Sequence, residues 1–196
     1  FRIHEPPSPM KLQSLYTELA SIGIFVESQG SIKETIMAIQ AEAERRDLIS
    51  EVDTLIIRAQ MQARYAPYNM GHFGLGFDRY THFTSPIRRY PDMMVHSLLT
   101  RYLDNEHPAD KEKYQKLCEH SSKMERLAAE AERASVKYKQ VEYMSDKTGK
   151  EFEGIISGVT EWGIYVEIIE NQCEGMVSIR ELGDDYYEYD EENYCI

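Results

Sequence analysis

The feature that most constrains this chain is a change of rhythm along it. Apolar residues recur at helical spacing from Ser8 to Ala63 and again from Pro86 to Met144. Between these runs the period is broken by Pro67, Gly71, Gly74 and Gly76. Such a pattern predicts a helical scaffold interrupted by one irregular segment. The first helix starts with Ser8 as N-cap and Pro9 at the first helical position. It carries Leu12, Leu15, Leu19 and Ile22 on one face, and Gly23 ends it. The second opens with a capping box, Ser31-x-x-Glu34, and turns Ile32, Ile36, Ile39 and Ala43 inward. A third is expected from about Asp47 to Ala63, with Val52, Leu55, Ile56 and Ala59 as its stripe.

Inside the break, Phe73, Leu75 and Phe77 alternate as a half-buried strand would. The expectation is a β-hairpin that turns near Asp78 and Arg79 and returns through Tyr80 to Phe83. Helical spacing resumes at Pro86 with Tyr90, Met94, Ser97 and Leu98. A long helix then runs from about Asp110 to Met144, where Tyr114, Leu117, Met124, Leu127, Ala131, Ala134, Tyr138 and Val141 form a narrow stripe suited to close packing. After the polar turn Asp146 to Gly149 the residues read as three strands of about seven residues with glycine-marked bends. The fold class is therefore α+β, with one domain over 1–146 and a second over 147–196.

A chain of 196 residues with 42% hydrophobic side chains buries one good core, or one core and the beginning of another. No stretch approaches the roughly 18 apolar residues of a membrane span, and FRIHEPPSPMKL has no signal-peptide anatomy. The expectation is a cytoplasmic protein without membrane partners. Phe1 is not an initiator methionine, which suggests a piece of a longer polypeptide. Cys118, Cys173 and Cys195 stand too far apart for a zinc or redox motif, and Cys118 reads as a small apolar filler.

A net charge of -12 speaks at first against a phosphate binder. Its distribution does not. Between Met61 and Leu103 stand Arg64, Arg79, Arg88, Arg89 and Arg101 against Asp78 and Asp92, with three histidines besides. Seven acids and no base lie between Glu181 and Glu192, a stretch read as a solvated loop. In Thr84-Ser-Pro-Ile-Arg-Arg-Tyr90, the pair Ser85-Pro86 is a strong helix start and places Arg88 and Arg89 in a first helical turn. Cations are unfavourable there unless an anion is close, and a guanidinium fork binds phosphate oxygens bidentately. The competing reading pairs both arginines with carboxylates such as Asp92 or residues of the long helix.

The run from Gly71 to His96, GHFGLGFDRYTHFTSPIRRYPDMMVH, resembles the catalytic-domain signature of the RNase II/RNB family of exoribonucleases. FRIHEPPSPMKL at the start and AEAERASVKYKQ from Ala129 to Gln140 extend the resemblance over nearly the whole chain. The ending RRYPD and the acidic DDYYEYDEE run look closer to the ribonuclease R branch. The resemblance implies processive, hydrolytic 3′-to-5′ degradation of RNA to nucleoside 5′-monophosphates, with Mg2+ as cofactor and the 3′ end of single-stranded RNA as partner. It places the catalytic arginine at Arg88 and a glutamate near the terminal nucleotide at Glu132. Thr84, Ser85, Arg89 and His82 join them as candidate RNA contacts. By its residues alone His82, like His96, reads more readily as a satisfied structural histidine than as a phosphate contact, and the ordinary reading of Glu132 is one half of a helix salt bridge.

The family's cluster of four aspartates for magnesium is not found in this sequence. Its place is expected upstream of Phe1, so that the piece is inactive by itself, and no metal ligand is assigned here. Lys150 to Leu182 resembles the beginning of an S1-type OB fold, in which Trp162 and Tyr165 hold positions where aromatics face RNA; Trp162 packing a barrel is the plain alternative. An OB barrel takes five strands, and about three are legible. The complete enzyme is expected to be monomeric. The alternative functions are a catalytically silent RNA-binding or scaffold protein of the same fold, and a helical protein that binds other proteins through its acidic face.

Overall fold

The computed structural model describes residues 1–28, 30–105, 107–183 and 187–190. Its elements are β1 (Arg2–Ile3), α1 (Pro9–Ser21), α2 (Ile32–Arg45), α3 (Ile49–Ala59), β2 (Arg64–Tyr65), α4 (Tyr90–Leu103), α5 (Lys111–Ser145), β3 (Gly154–Thr160), β4 (Gly163–Ile168) and β5 (Glu174–Ser178). They fall into two compact units, Phe1–Arg126 and Leu127–Ile196, and α5 begins in the first and ends in the second. The class is α+β as expected, mainly helical with small antiparallel sheets.

In the first unit local signals start the helices. The Ser8 hydroxyl accepts from the Lys11 amide, and Pro9 supplies the helical φ of α1. Ser31 and Glu34 close a complete capping box on α2, with the Ser31 amide donating to Glu34 Oε2 at 2.9 Å and the Glu34 amide to Ser31 Oγ at 3.2 Å. α3 is shorter than the expected 47–63. Asp47 sits at φ +59° and cannot be helical, and Gln60 is extended, its carbonyl accepting from Lys11 Nζ at 2.7 Å. α1 and α2 both pack on α3 around Leu15, Leu19, Ile24, Ile39, Ala43, Val52, Ile56 and Ala59.

The expected hairpin over 73–83 is not formed. Phe73–Leu75 is a 3-10 turn, closed by the Gly76 amide donating to the Phe73 carbonyl, and Gly76 lies at φ +67°. The backbone of this stretch bonds to Arg2 of β1 and to His4, which follows it. The Phe73 amide donates to the His4 carbonyl at 2.8 Å, the His4 amide to Gly71 O at 3.1 Å, and the Arg2 amide to Tyr80 O at 2.9 Å. The antiparallel pair of this unit is β1 with β2, in the register Arg2↔Tyr65 and Ile3↔Arg64.

α5 starts under an Asp110 cap, whose Oδ1 accepts from the Glu112 and Lys113 amides. Its buried face is Cys118, Ser121 and Ser122, and the Ser122 hydroxyl accepts from the Tyr65 amide at 3.0 Å. The stripe predicted for close packing stays open, with Leu127, Tyr138 and Val141 exposed. In the second unit β3, β4 and β5 form an antiparallel sheet in that order, with a bulge between Ile156 and Gly158. Gly163 is obligatory at the β3–β4 turn: its φ is +148°, and a Cβ would stand 2.0 Å from the Val177 carbonyl oxygen. Of the acidic stretch, Asp184, Asp185, Glu191 and Glu192 lie outside the described residues, as does Cys195.

Candidate functional site

Pro91 decides where α4 begins. A helix opening at Pro86 would carry Pro91 in its interior, where the ring has no N–H to give the Ile87 carbonyl and clashes with it. Pro86 to Arg88 accordingly form a turn, with the Ser85 carbonyl accepting from the Arg88 amide at 3.3 Å and the Arg89 amide at 3.0 Å. α4 then starts at Tyr90 with Arg89 as N-cap, at φ -125° and ψ 109°. Arg88 and Arg89 precede the helix instead of occupying its first turn. This corrects the expectation from Ser85-Pro86, and the helix dipole is not what presents the two guanidiniums.

What holds the turn is Asp92. Its carboxylate is fully buried, and Oδ2 accepts from the Ser85 amide at 2.7 Å and from Arg89 Nη2 at 2.9 Å. Burial alone pushes this carboxyl up, but the Ser85 amide and the Arg89 guanidinium outweigh it and hold it below the usual carboxylate value. Asp92 Oδ1 and Arg89 Nε are also buried and have no partner among the described residues. The two arginines thereby separate. Arg89 is half-buried and ion-paired, as the carboxylate reading foresaw, whereas Arg88 is exposed and has no hydrogen-bond or ion-pair partner among the described residues. Next to it Ile87 is completely exposed.

His82 lies half-buried behind this turn, its Nδ1 at 2.9 Å from the Tyr65 hydroxyl, between the edges of the Tyr65 and Tyr80 rings. Burial first, then Arg89 and Arg2, push its imidazole below the ordinary value. His96 is satisfied by the Phe83 carbonyl at 2.9 Å, and its ring stacks on Phe83. Thr84 is exposed at the entry to the turn, and Ser85 takes part through its backbone. A hollow of this unit, about 460 Å³, is lined chiefly by apolar side chains such as Met94, Leu98, Tyr102 and Tyr114, and Arg88 is not among its walls. The arginine turn is a surface feature, suited to an extended polyanion more than to an enclosed small molecule.

In the second unit Glu132 is exposed on α5 without a partner among the described residues, so the helix salt bridge is not formed. Trp162, at the β3–β4 turn, is 67% exposed and does not pack a barrel interior. Tyr165 is half-buried on β4, paired with Gly158 and Met176.

The RNB domain family profile matches residues 1–105, and the S1 RNA binding domain profile matches 145–195. The chain belongs to the RNB family. It is 40% identical to Ribonuclease R 1 of Lactococcus lactis and 42% to Ribonuclease R of Aquifex aeolicus, in each case over 97% of its own length. It covers 24% and 28% of those proteins, and so spans about a quarter of the curated relatives it matches. The solved structure of Mycoplasma genitalium RNase R in complex with ribose methylated single-stranded RNA superposes with a TM-score of 0.83 at 29% identity, over 99% of this chain and 32% of that one.

Among the described residues no three His, Cys, Asp or Glu side chains are gathered to hold an ion, so the residues present do not fit one. No described helix is long and apolar enough to cross a membrane. Two participants escaped the reading of site residues. Tyr65 is fixed to His82 across 17 positions, with no local signal. Asp92 is legible as an arginine partner but not as the group that orders the turn; Pro91 beside it signals only where the helix begins.

Proposed function

We propose that this chain supplies the phosphate-binding part of a 3′-to-5′ hydrolytic exoribonuclease of the ribonuclease R type, one that degrades RNA processively to nucleoside 5′-monophosphates. The observation that carries the reading is the division of labour in the turn: Arg89 is tied to buried Asp92, while Arg88 is exposed and has no partner among the described residues. An arginine held at the surface without a carboxylate suits a phosphate. In-line hydrolysis of a phosphodiester builds charge on the non-bridging oxygens, and a preplaced guanidinium stabilises it. Arg88 takes that role, while Thr84, Ser85, Arg89 and His82 shape the surface along which the 3′ end of single-stranded RNA runs. Glu132 meets the terminal nucleotide. Trp162 and Tyr165 offer faces on which bases stack, worth roughly 1 to 3 kcal/mol per base without sequence preference.

The boundary between the catalytic part and the S1 part falls at residues 146 and 147. Magnesium belongs to the portion of the relatives' length that this chain does not span, so the 196-residue chain alone binds RNA without hydrolysing it. The complete enzyme is a cytoplasmic monomer in this reading. The test is Arg88→Ala in a full-length enzyme carrying this chain as its matching segment. Single-turnover hydrolysis of a 3′ single-stranded RNA slows by about 10³-fold or more, as for other phosphoryl-transfer arginines, with unchanged thermal stability. Near-normal turnover sinks the assignment.

A further inference from the structure

We propose that Asp92 is the positioning residue of the arginine turn, acting on RNA hydrolysis through Arg88 without touching RNA itself; the inference rests on the reading of Arg88 given above. Three observations meet at this carboxylate. It is fully buried, where an ionised group persists only if it is hydrogen-bonded or paired. Its Oδ2 takes two donors from either side of the turn, the Ser85 amide at 2.7 Å and Arg89 Nη2 at 2.9 Å. These donors flank Pro86, Ile87 and Arg88, so one oxygen fixes both ends of the segment that carries the exposed guanidinium.

The second consequence is exclusion. Asp92 is the acid nearest to the arginines in sequence, and it engages Arg89 from a buried position while Arg88 has no partner among the described residues. Were the tie removed, Arg89 would lose its carboxylate and the Ser85 amide its acceptor, and the turn would relax over several conformers. The guanidinium of Arg88 would then reach its phosphate only part of the time. Oδ1 of Asp92 and Nε of Arg89, which have no partner among the described residues, lie in the same buried ion pair, and geometry at Oδ2 carries the tie.

The experiment is a double-mutant cycle on single-turnover hydrolysis and RNA affinity, in a full-length enzyme carrying this chain. Asp92→Ala slows hydrolysis about 10- to 100-fold, as a misplaced transition-state contact does, and changes RNA affinity far less. Asp92→Asn, which keeps an acceptor toward the Ser85 amide, recovers a substantial part of the loss. In the Arg88→Ala background the further loss from Asp92→Ala shrinks to about threefold or less, because the group through which Asp92 acts is gone. Equal losses in both backgrounds, with folded variants, overturn the proposal and make Asp92 scaffold only. If Asp92→Ala does not fold, the same cycle is read with Asp92→Asn. Near-normal turnover of Arg88→Ala overturns the functional reading and this inference together, whereas a large Arg88 effect with multiplicative losses overturns this inference alone.

Discussion

The three-helix core and the stretch from Arg64 to Asp92 belong to one compact unit yet are held by different forces. In the core, Leu15, Leu19, Ile39, Val52 and Ile56 are almost completely buried against one another, and apolar burial is non-directional. The second stretch is pinned by hydrogen bonds of fixed geometry. His4 Nδ1 accepts from the Gly74 amide at 2.8 Å, so its Nε2 carries the proton toward the Met61 carbonyl at 2.5 Å. Asn69 accepts from the Gly71 amide and donates to the Asp78 carbonyl, and Asp92 holds Ser85 and Arg89. Packing gives stability and tolerates small shifts. Directed bonds place particular atoms, which an arginine aimed at a phosphate requires.

The comparison breaks first, and most visibly, in the core. Leu19→Ala removes a side chain that is 1% exposed and costs about 2 to 5 kcal/mol of global stability. Urea unfolding measures that loss, while the affinity of the folded fraction for a labelled single-stranded RNA stays unchanged. A parallel fall in affinity would mean that core and site are not separable. Next comes Gly74→Ala, whose added Cβ would stand 2.9 Å from His4 Nδ1 and 3.0 Å from Cε1. The His4 ring cannot retreat without losing two hydrogen bonds, so the cost is about 1 to 3 kcal/mol. Hydrogen exchange locates it: amide protection falls at Gly71 to Phe77 and persists in α1 to α3. Uniform loss over both regions would erase the distinction.

Legibility follows the same division. Helix starts were readable because Ser8 with Pro9 and Ser31 with Glu34 are contiguous signals, and the inward faces because packing follows a 3.6-residue period, except at Ile22, which lies past the end of α1 and is exposed. The irregular stretch misled because its partners are remote. Phe73, Leu75 and Phe77 alternate like a strand, yet the decisive bond of Phe73 goes to His4, about seventy positions earlier in the chain. Pro86 gave a true local signal for a helix start, and Pro91 overrode it. The role proposed for Arg88 rests on family resemblance, not on spacing. Its partition from Arg89 depends on how deeply Asp92 is buried, which no periodicity encodes.

The smallest effect is the most selective. His82 is half-buried beside Tyr65, and burial, then Arg89 and Arg2, hold its imidazole below the ordinary value of 6.5. A group whose folded value is depressed binds its proton more readily when unfolded, so its contribution is intact above that ordinary value. The contribution is lost as pH falls below it. Thermal midpoints are therefore expected to drop between pH 7.5 and pH 5.5, and His82→Gln, which cannot titrate, lessens the drop. His72 is lowered in the same direction by burial, then by His4 and Arg2, so removing both histidines flattens the profile further. Leu19→Ala lowers every midpoint but keeps the wild-type slope, because the residues of the helical core do not titrate. An unchanged slope in His82→Gln would show that the acid sensitivity of the unit arises outside the polar ties behind Arg88.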